Sequence, residues 1–145
     1  MLVTINTDAS WCPKEKVGGY AFWISSPWGK FKKYGKFKSK IHDCTKAEMM
    51  CIANAIYYLS KKPFYREVKR IIINTDSLYS INYINSQKRN VKRWNKARGK
   101  IKHLTNLNNI ELELRHVKAH TEDLSKPRVY VNDWCDRMSK KGRKL

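Results

Sequence analysis

Apolar and polar positions divide the chain into short strands and helices. Leu2 to Asp8 reads as a first strand, apolar at Leu2, Val3 and Ile5. Gly18-Gly19 opens a second run, Tyr20-Ala21-Phe22-Trp23-Ile24, and a Ser25-Ser26-Pro27-Trp28-Gly29 turn leads into a lysine-studded third strand, Lys30 to Phe37. These three form a meander. Between Thr45 and Leu59 the period lengthens. Ile52, Ala55, Ile56 and Leu59 make the i, i+3, i+4, i+7 stripe of a helix, with Pro63 beyond its end. Arg70 to Asp76 is a short, almost wholly apolar strand of the kind buried on both faces. Ser77 to Asn85 and Val91 to Asn106 read as helices, Ile110 to Val117 as a last strand and Val131 to Lys141 as a closing helix.

The tetrapeptide Ile-Asn-Thr-Asp occurs at 5–8 and again at 73–76, each copy closing an apolar run and leading to a serine. A strand joined through a crossover helix to a second strand of the same sheet runs parallel to it, with a right-handed connection. If the two strands are neighbours, Asp8 and Asp76 stand about 5 Å apart at the backbone, on the carboxyl edge where open α/β sheets bind ligands. Carboxylates so close repel unless a proton or cation lies between them, so the repeat reads as half of a metal site. Taken singly, each copy has another use: Asp76-Ser77 is an N-cap signal, and Asp8-Ala9-Ser10 can open a turn. Glu48 lies four residues before Ile52, on the apolar stripe of its helix, where a charge needs a partner. It also suits a first helical turn, and the two roles are compatible.

A length of 145 residues suits one domain spanning 1–145. No run of about 18 apolar residues occurs and the N-terminus has no signal pattern, which predicts a soluble, cytoplasmic protein with no membrane contact. Cys12, Cys44, Cys51 and Cys135 form no C-x-x-C pair, which excludes a zinc ribbon or disulfide framework, and His42, His103 and His116 lack zinc spacing. Lys plus Arg number 31 against 12 Asp plus Glu, a formal net charge of +19. Such an excess points to a polyanionic partner, nucleic acid ahead of membrane; the competing source is lysine-rich translation of an AT-rich genome. The densest basic stretch is Gln87 to His103, with Lys88, Arg89, Lys92, Arg93, Lys96, Arg98, Lys100 and Lys102. Within it Trp94 either lies against a sugar or joins Ile101 and Leu104 in the core. Trp23 and Trp28 are assigned to the sheet and its turn. Cys135 is assigned to the core, on the closing helix's stripe of Val131, Trp134, Cys135 and Met138. Asp136, beside Asn132 on the flank of that stripe, reads on these grounds as a solvated helix face.

Six segments in order, TDAS after the first strand, GGYAF, TKAEMM opening the first helix, NTDS, HVKAH and VNDWCD, run from Thr7 to Asp136. Together they resemble ribonuclease H, type 1. The resemblance implies a mixed α/β fold with a five-stranded sheet in order 3-2-1-4-5, strand 2 antiparallel, flanked by helices. It places the family's four carboxylates on Asp8, Glu48, Asp76 and Asp136, which reverses the reading of Asp136, and the family's loop histidine on His120. It implies two Mg²⁺ ions, with Mn²⁺ as the alternative because both accept carboxylate oxygen. Asp8 would bridge them, Asp136 would hold the ion that activates water, and Glu48 and Asp76 the ion at the leaving side. The reaction implied is hydrolysis of the RNA strand of RNA–DNA hybrids, leaving a 5′-phosphate and a 3′-hydroxyl.

Substrate choice is where the chain departs from the family. Where the family often carries asparagine and glutamine for the 2′-hydroxyl, this chain has Cys44 and Leu78. Ser10, Cys44, Thr45 and Glu48 remain as contacts to that hydroxyl, and relaxed action on double-stranded RNA is the alternative. Lys88, Lys92, Arg93, Trp94 and Lys96 are the expected duplex contacts, on one lysine-rich helix in place of the inserted basic protrusion of some members. A catalytically silent nucleic-acid binder is the competing class, disfavoured because all four carboxylates are present in an acid-poor chain. The expected state is a stand-alone bacterial or phage-encoded monomer, and no protein partner is inferable from the sequence.

Overall fold

The computed structural model describes residues 1–117 and 127–145. An antiparallel meander of β1 (Leu2–Cys12), β2 (Val17–Ser26) and β3 (Gly29–Lys36) is followed by α1 (Cys44–Ser60) and a 3₁₀ turn over Pro63–Glu67. Then come β4 (Arg70–Thr75), α2 (Leu78–Asn85), α3 (Lys92–Asn106), β5 (Glu111–His116) and α4 (Pro127–Arg143). The strands form one mixed sheet in the order β3-β2-β1-β4-β5, with β4 parallel to both β1 and β5, as the resemblance implies.

Two boundaries differ from the sequence pattern by four residues. β1 does not end at Asp8: its antiparallel ladder with β2 runs from Thr4 opposite Ser25 to Cys12 opposite Val17. The parallel ladder with β4 stops at Asn6 opposite Asn74, so Asp8 lies where β1 has lost its neighbour on one side only. α4 is helical from Pro127, the first described residue after Val117, four residues before Val131.

The core forms where the strands' inward residues meet α1. Val3, Ile5, Ile24, Ile71 and Ile73 are fully buried against Ile52, Ile56 and Leu59 of the predicted stripe. Tyr83, Trp94 and Ile101 extend the same cluster under α2 and α3. α1 starts at a built cap, where the Asp43 carboxylate accepts the Lys46 N–H at 2.7 Å.

α4 packs on β1, β2 and β3 by direct backbone approach. A Cβ on Gly19 would lie 2.1 Å from the Ser139 carbonyl oxygen and 2.3 Å from the Arg143 nitrogen, and one on Gly142 would lie 2.3 Å from the Gly35 oxygen. Glycine is required at both positions by this contact. Gly19→Ala is therefore expected to cost about 1–3 kcal/mol by overpacking. The loss would appear as a lower urea midpoint at unchanged m-value. An unaltered midpoint would show that α4 does not seat on β2 in this way.

Candidate active site

β1 and β4 carry their repeated tetrapeptides in register, Ile5 opposite Ile73 and Asn6 opposite Asn74. Three positions of the repeat have separate jobs. The isoleucines are fully buried in the core. The asparagines link to each other and to α4: Asn74 Nδ2 donates to Asn6 Oδ1 at 3.3 Å, and Asn6 Nδ2 donates to Asn132 Oδ1. Asn132 lies one turn before Asp136, so this ladder ties the helix bearing the fourth acid to the centre of the sheet. Sequence reasoning missed the ladder. The signal was the repeat itself, which includes the asparagine as well as the aspartate.

The aspartates follow two positions later, and Glu48 meets them from α1. One carboxylate oxygen from each of Asp8, Glu48 and Asp76 lies within 4.8 Å of the others. Glu48 is only 4% exposed. The Ala9 N–H reaches both Asp8 Oδ1, at 2.9 Å, and Glu48 Oε1, at 3.0 Å, leaving Glu48 Oε2 buried with no hydrogen-bond partner among the described residues. The cap of α2 is Ser77, whose hydroxyl accepts the Ser80 N–H at 3.3 Å. Capping therefore falls to the serine, not to Asp76.

Crowding these acids in a poorly solvated place raises their affinity for protons. Burial first, then the charges of Asp76 and Asp136, push the Asp8 carboxyl up to about 8. Burial, followed by Asp8 and Asp76, holds Glu48 well above the usual carboxylate range. The donors are all hard oxygens, one of them buried and unpartnered. That set fits a hard divalent cation such as Mg²⁺ or Mn²⁺ better than a soft one.

Asp136 stands outside this group of three but close enough to act on Asp8 through its charge. Its Oδ2 pairs with Lys140 Nζ at 3.2 Å. His120 lies outside the described residues. Ser10 is buried; Cys44, the first residue of α1, is exposed and Thr45 half-buried. Burial and the nearby Glu48 raise the Cys44 thiol, keeping it neutral. Leu78 is exposed at 51%.

Of the basic stretch, Lys88, Lys92 and Lys96 project into solvent. Arg93 is also exposed, with its guanidinium 2.8 Å from Asp43. Trp94 corrects one expectation. Its indole is 7% exposed, packs edge-on against Tyr83 with centroids 5.1 Å apart, and donates to Asp43 at 3.1 Å. It belongs to the core and does not lie against a sugar. Asp43 thus caps α1 and at the same time fastens α3 beside the helix that carries Glu48. Arg98 is structural as well, donating to the carbonyls of Tyr83, Ser86 and Arg89 at 3.4, 3.1 and 3.0 Å, which closes α2 and holds the loop before α3.

Comparison with curated proteins gives no match. Among solved structures, the chain is similar to the N-terminal RNase H domain of rv2228c from Mycobacterium tuberculosis, with TM-score 0.76 and 12% identity over 99% of this chain and 94% of that one. It is similar to RNase H1 from the halophilic archaeon Halobacterium salinarum, with TM-score 0.69 and 14% identity over 98% and 97%. The compost-derived LC11 RNase H1, solved with an RNA/DNA hybrid, aligns with TM-score 0.74 and 15% identity over 98% and 96%. At these identities the likeness shows the fold alone. The RNase H family model matches residues 2–144, nearly the whole length, and on that match the chain belongs to the RNase H family of ribonucleases.

Proposed function

We propose that this ribonuclease cuts the RNA strand of RNA–DNA hybrids internally, using two Mg²⁺ ions and leaving a 5′-phosphate and a 3′-hydroxyl. The observation that carries the reading is the Asp8, Glu48 and Asp76 group, three carboxylates gathered within 4.8 Å in a chain that has few acids elsewhere. The hybrid is supported as substrate by the LC11 RNase H1 structure, whose complex contains one.

Asp8, Glu48, Asp76 and Asp136 would hold the ions. Bound there, the ions would supply an acidified water and positive charge at the attacking and leaving oxygens of an in-line displacement. The chain's own residues prepare the site. Asp8 and Glu48 must give up the protons that burial favours, and the Ala9 N–H keeps one oxygen of each oriented. The asparagine ladder ties the helix that carries Asp136 to the sheet, and the solvent-exposed Lys140 pairs with one oxygen of that carboxylate. His120 would handle the proton or help product departure. Lys88, Lys92, Arg93 and Lys96 would contact phosphates, while Cys44, Thr45 and the main chain near Ser10 would meet the 2′-hydroxyl.

The test is incubation of the wild type and Asp8→Asn with end-labelled hybrid, double-stranded RNA, single-stranded RNA and double-stranded DNA, with Mg²⁺ or chelator. Metal-dependent cutting of the hybrid's RNA strand alone is expected. In Asp8→Asn, activity should fall below detection while hybrid binding is unchanged or tighter, because a ligand and a repelling charge are removed together. Retained turnover would sink the assignment of Asp8. Cutting of double-stranded RNA would assign relaxed sugar choice to Cys44 and Leu78.

The raised carboxyls also set a pH dependence. An unfolded carboxylate titrates near pH 4, whereas folded Asp8 titrates at about 8. Between those values the folded state binds more protons than the unfolded one, so this contribution to stability is lost as pH rises. With chelator, the wild-type thermal midpoint should fall from about pH 5 to pH 8 relative to that of Asp8→Asn. Added Mg²⁺ should restore most at the alkaline end. A wild-type midpoint that rises relative to the variant over this range would contradict the buried-acid account.

A further inference from the structure

From Lys16 to His42, from Met49 to Arg66 and from Ser77 to Ile110 the chain contains no aspartate or glutamate. These stretches supply β2, β3, α2, α3 and all of α1 beyond Glu48, so these elements carry no acid, and Asp43 at the cap of α1 and Glu67 at the end of the 3₁₀ turn border them. α1 and α3 run side by side in the same direction. Arg93 at the start of α3 pairs with Asp43 at the cap of α1, and Lys100, two turns on, lies over Tyr57 near the end of α1. The basic face that begins beside the carboxylates with Lys92 and Lys96 therefore continues to the opposite pole. The distance along α1 from Glu48 to Lys61 is roughly 20 Å.

At that pole lysines are seated on aromatic rings. Lys61 and Lys100 place their Nζ atoms 4.7 and 4.4 Å from the centroid of Tyr57. Lys62 lies 4.7 Å from the adjacent Tyr58 and 4.4 Å from Phe31, and Lys33 lies 5.7 Å from Tyr58. Phe31 continues the ring series to Phe64, against which Trp28 stacks at 4.3 Å with planes 10° apart. Trp28 occupies the β2–β3 turn, next to the Thr4–Ser25 pair at the end of β1 away from Asp8. Tyr57 and Trp28 are 43% and 38% exposed. Among the described residues, none of Lys33, Lys61, Lys62 and Lys100 pairs with a carboxylate.

An ammonium held over a ring keeps its full charge for a partner, and its side chain has less freedom left to lose on binding. Positive charge that tracks a backbone, set among exposed aromatic rings, is what a single strand of nucleic acid requires. We infer that this pole is a second nucleic-acid contact, which takes single-stranded nucleic acid flanking the hybrid held at the carboxylate edge. Continuity with the basic face of α3 favours nucleic acid over an acidic protein as the occupant. The inference rests on the proposed function only for what lies at the edge.

The test is binding in chelator, where nothing is cut. The probes are a short blunt RNA–DNA hybrid and the same hybrid carrying a single-stranded DNA extension of about 15 nucleotides, a length within the footprint range of single-strand-binding surfaces. The extension should tighten wild-type binding about tenfold. A Lys33→Ala, Lys61→Ala, Lys62→Ala triple variant should lose that gain, and its salt slope on the extended probe should shrink by about 2, at roughly 0.7 per single-strand phosphate contact. Its affinity for the blunt hybrid and its Mg²⁺-dependent cutting of it should stay within about twofold of wild type. Tyr57→Ala, which removes a ring and no charge, should lose part of the gain. No gain from the extension, a gain retained in the triple variant, or an equal loss on the blunt hybrid would overturn the inference. So would a polyglutamate peptide that binds the pole of a protein showing no gain from the extension. A tail-dependent gain in a protein that cuts no hybrid would leave this inference standing while sinking the proposed function.

Discussion

Mutual repulsion among buried carboxylates is the constraint around which the molecule is arranged. Asp8, Glu48 and Asp76 lie within one ion's reach of each other, and burial denies Asp8 and Glu48 the water that would screen their charges. Such a group persists only if the surrounding fold is stable enough to impose it. The imposition comes from both sides. β1 and β4 are locked in register by buried isoleucines, and α1 is anchored to the sheet by a stripe that carries Glu48 on the same face as Ile52 and Ile56. The repulsion is relieved by protons when the pocket holds no cation and by a cation otherwise. Proton affinity and metal affinity are therefore two expressions of the same strain.

The β1–β4 edge is the right place for it because of the sheet's pairing pattern. β1 continues to Cys12 against β2, while its pairing with β4 ends at Asn6. Asp8 is consequently held by a rigid strand on one side and open on the other. A loop aspartate at the same point would have to be ordered at the moment of binding. The asparagine ladder extends this rigidity to α4, so that Asp136 is carried by a helix tied to the sheet.

Much of this was legible in the sequence because its signals are local. Alternation marked the meander, the 3.6-residue period marked α1, and an acid on an apolar stripe marked Glu48. What escaped depends on pairings made only in the folded chain. Trp94 has its hydrogen-bond partner, Asp43, 51 residues away, and nothing near it in sequence distinguishes a core indole from a sugar-stacking one. Asn6 and Asn74 satisfy each other across 68 residues, so their burial is invisible until the strand register is known. Asp136 has Lys140 as its helical neighbour and on local grounds is a surface ion pair; only the resemblance picked it out. Beyond Asp8 the strand carries mixed, partly exposed residues whose pairing is with β2, so no apolar pattern announced its continuation.

The distribution of charge leads to one further step. On a chain of net charge +19, β2, β3, α2 and α3 carry no acid, while Asp8, Glu48 and Asp76 converge at the β1–β4 edge and Asp133 and Asp136 lie on α4. A polyanion drawn to the basic flank by long-range attraction meets concentrated negative charge at the edge. Attraction to the molecule and admission to its carboxylates are thus separate events. On the proposed reading the first would depend on lysines and weaken with salt, and the second would depend on neutralising Asp8, Glu48 and Asp76. A phosphodiester held by the flank alone is bound without being exposed to chemistry. On the proposed reading, removing one carboxylate would separate binding from cleavage, since the lysines that would supply affinity are distinct from the carboxylates that would supply reactivity.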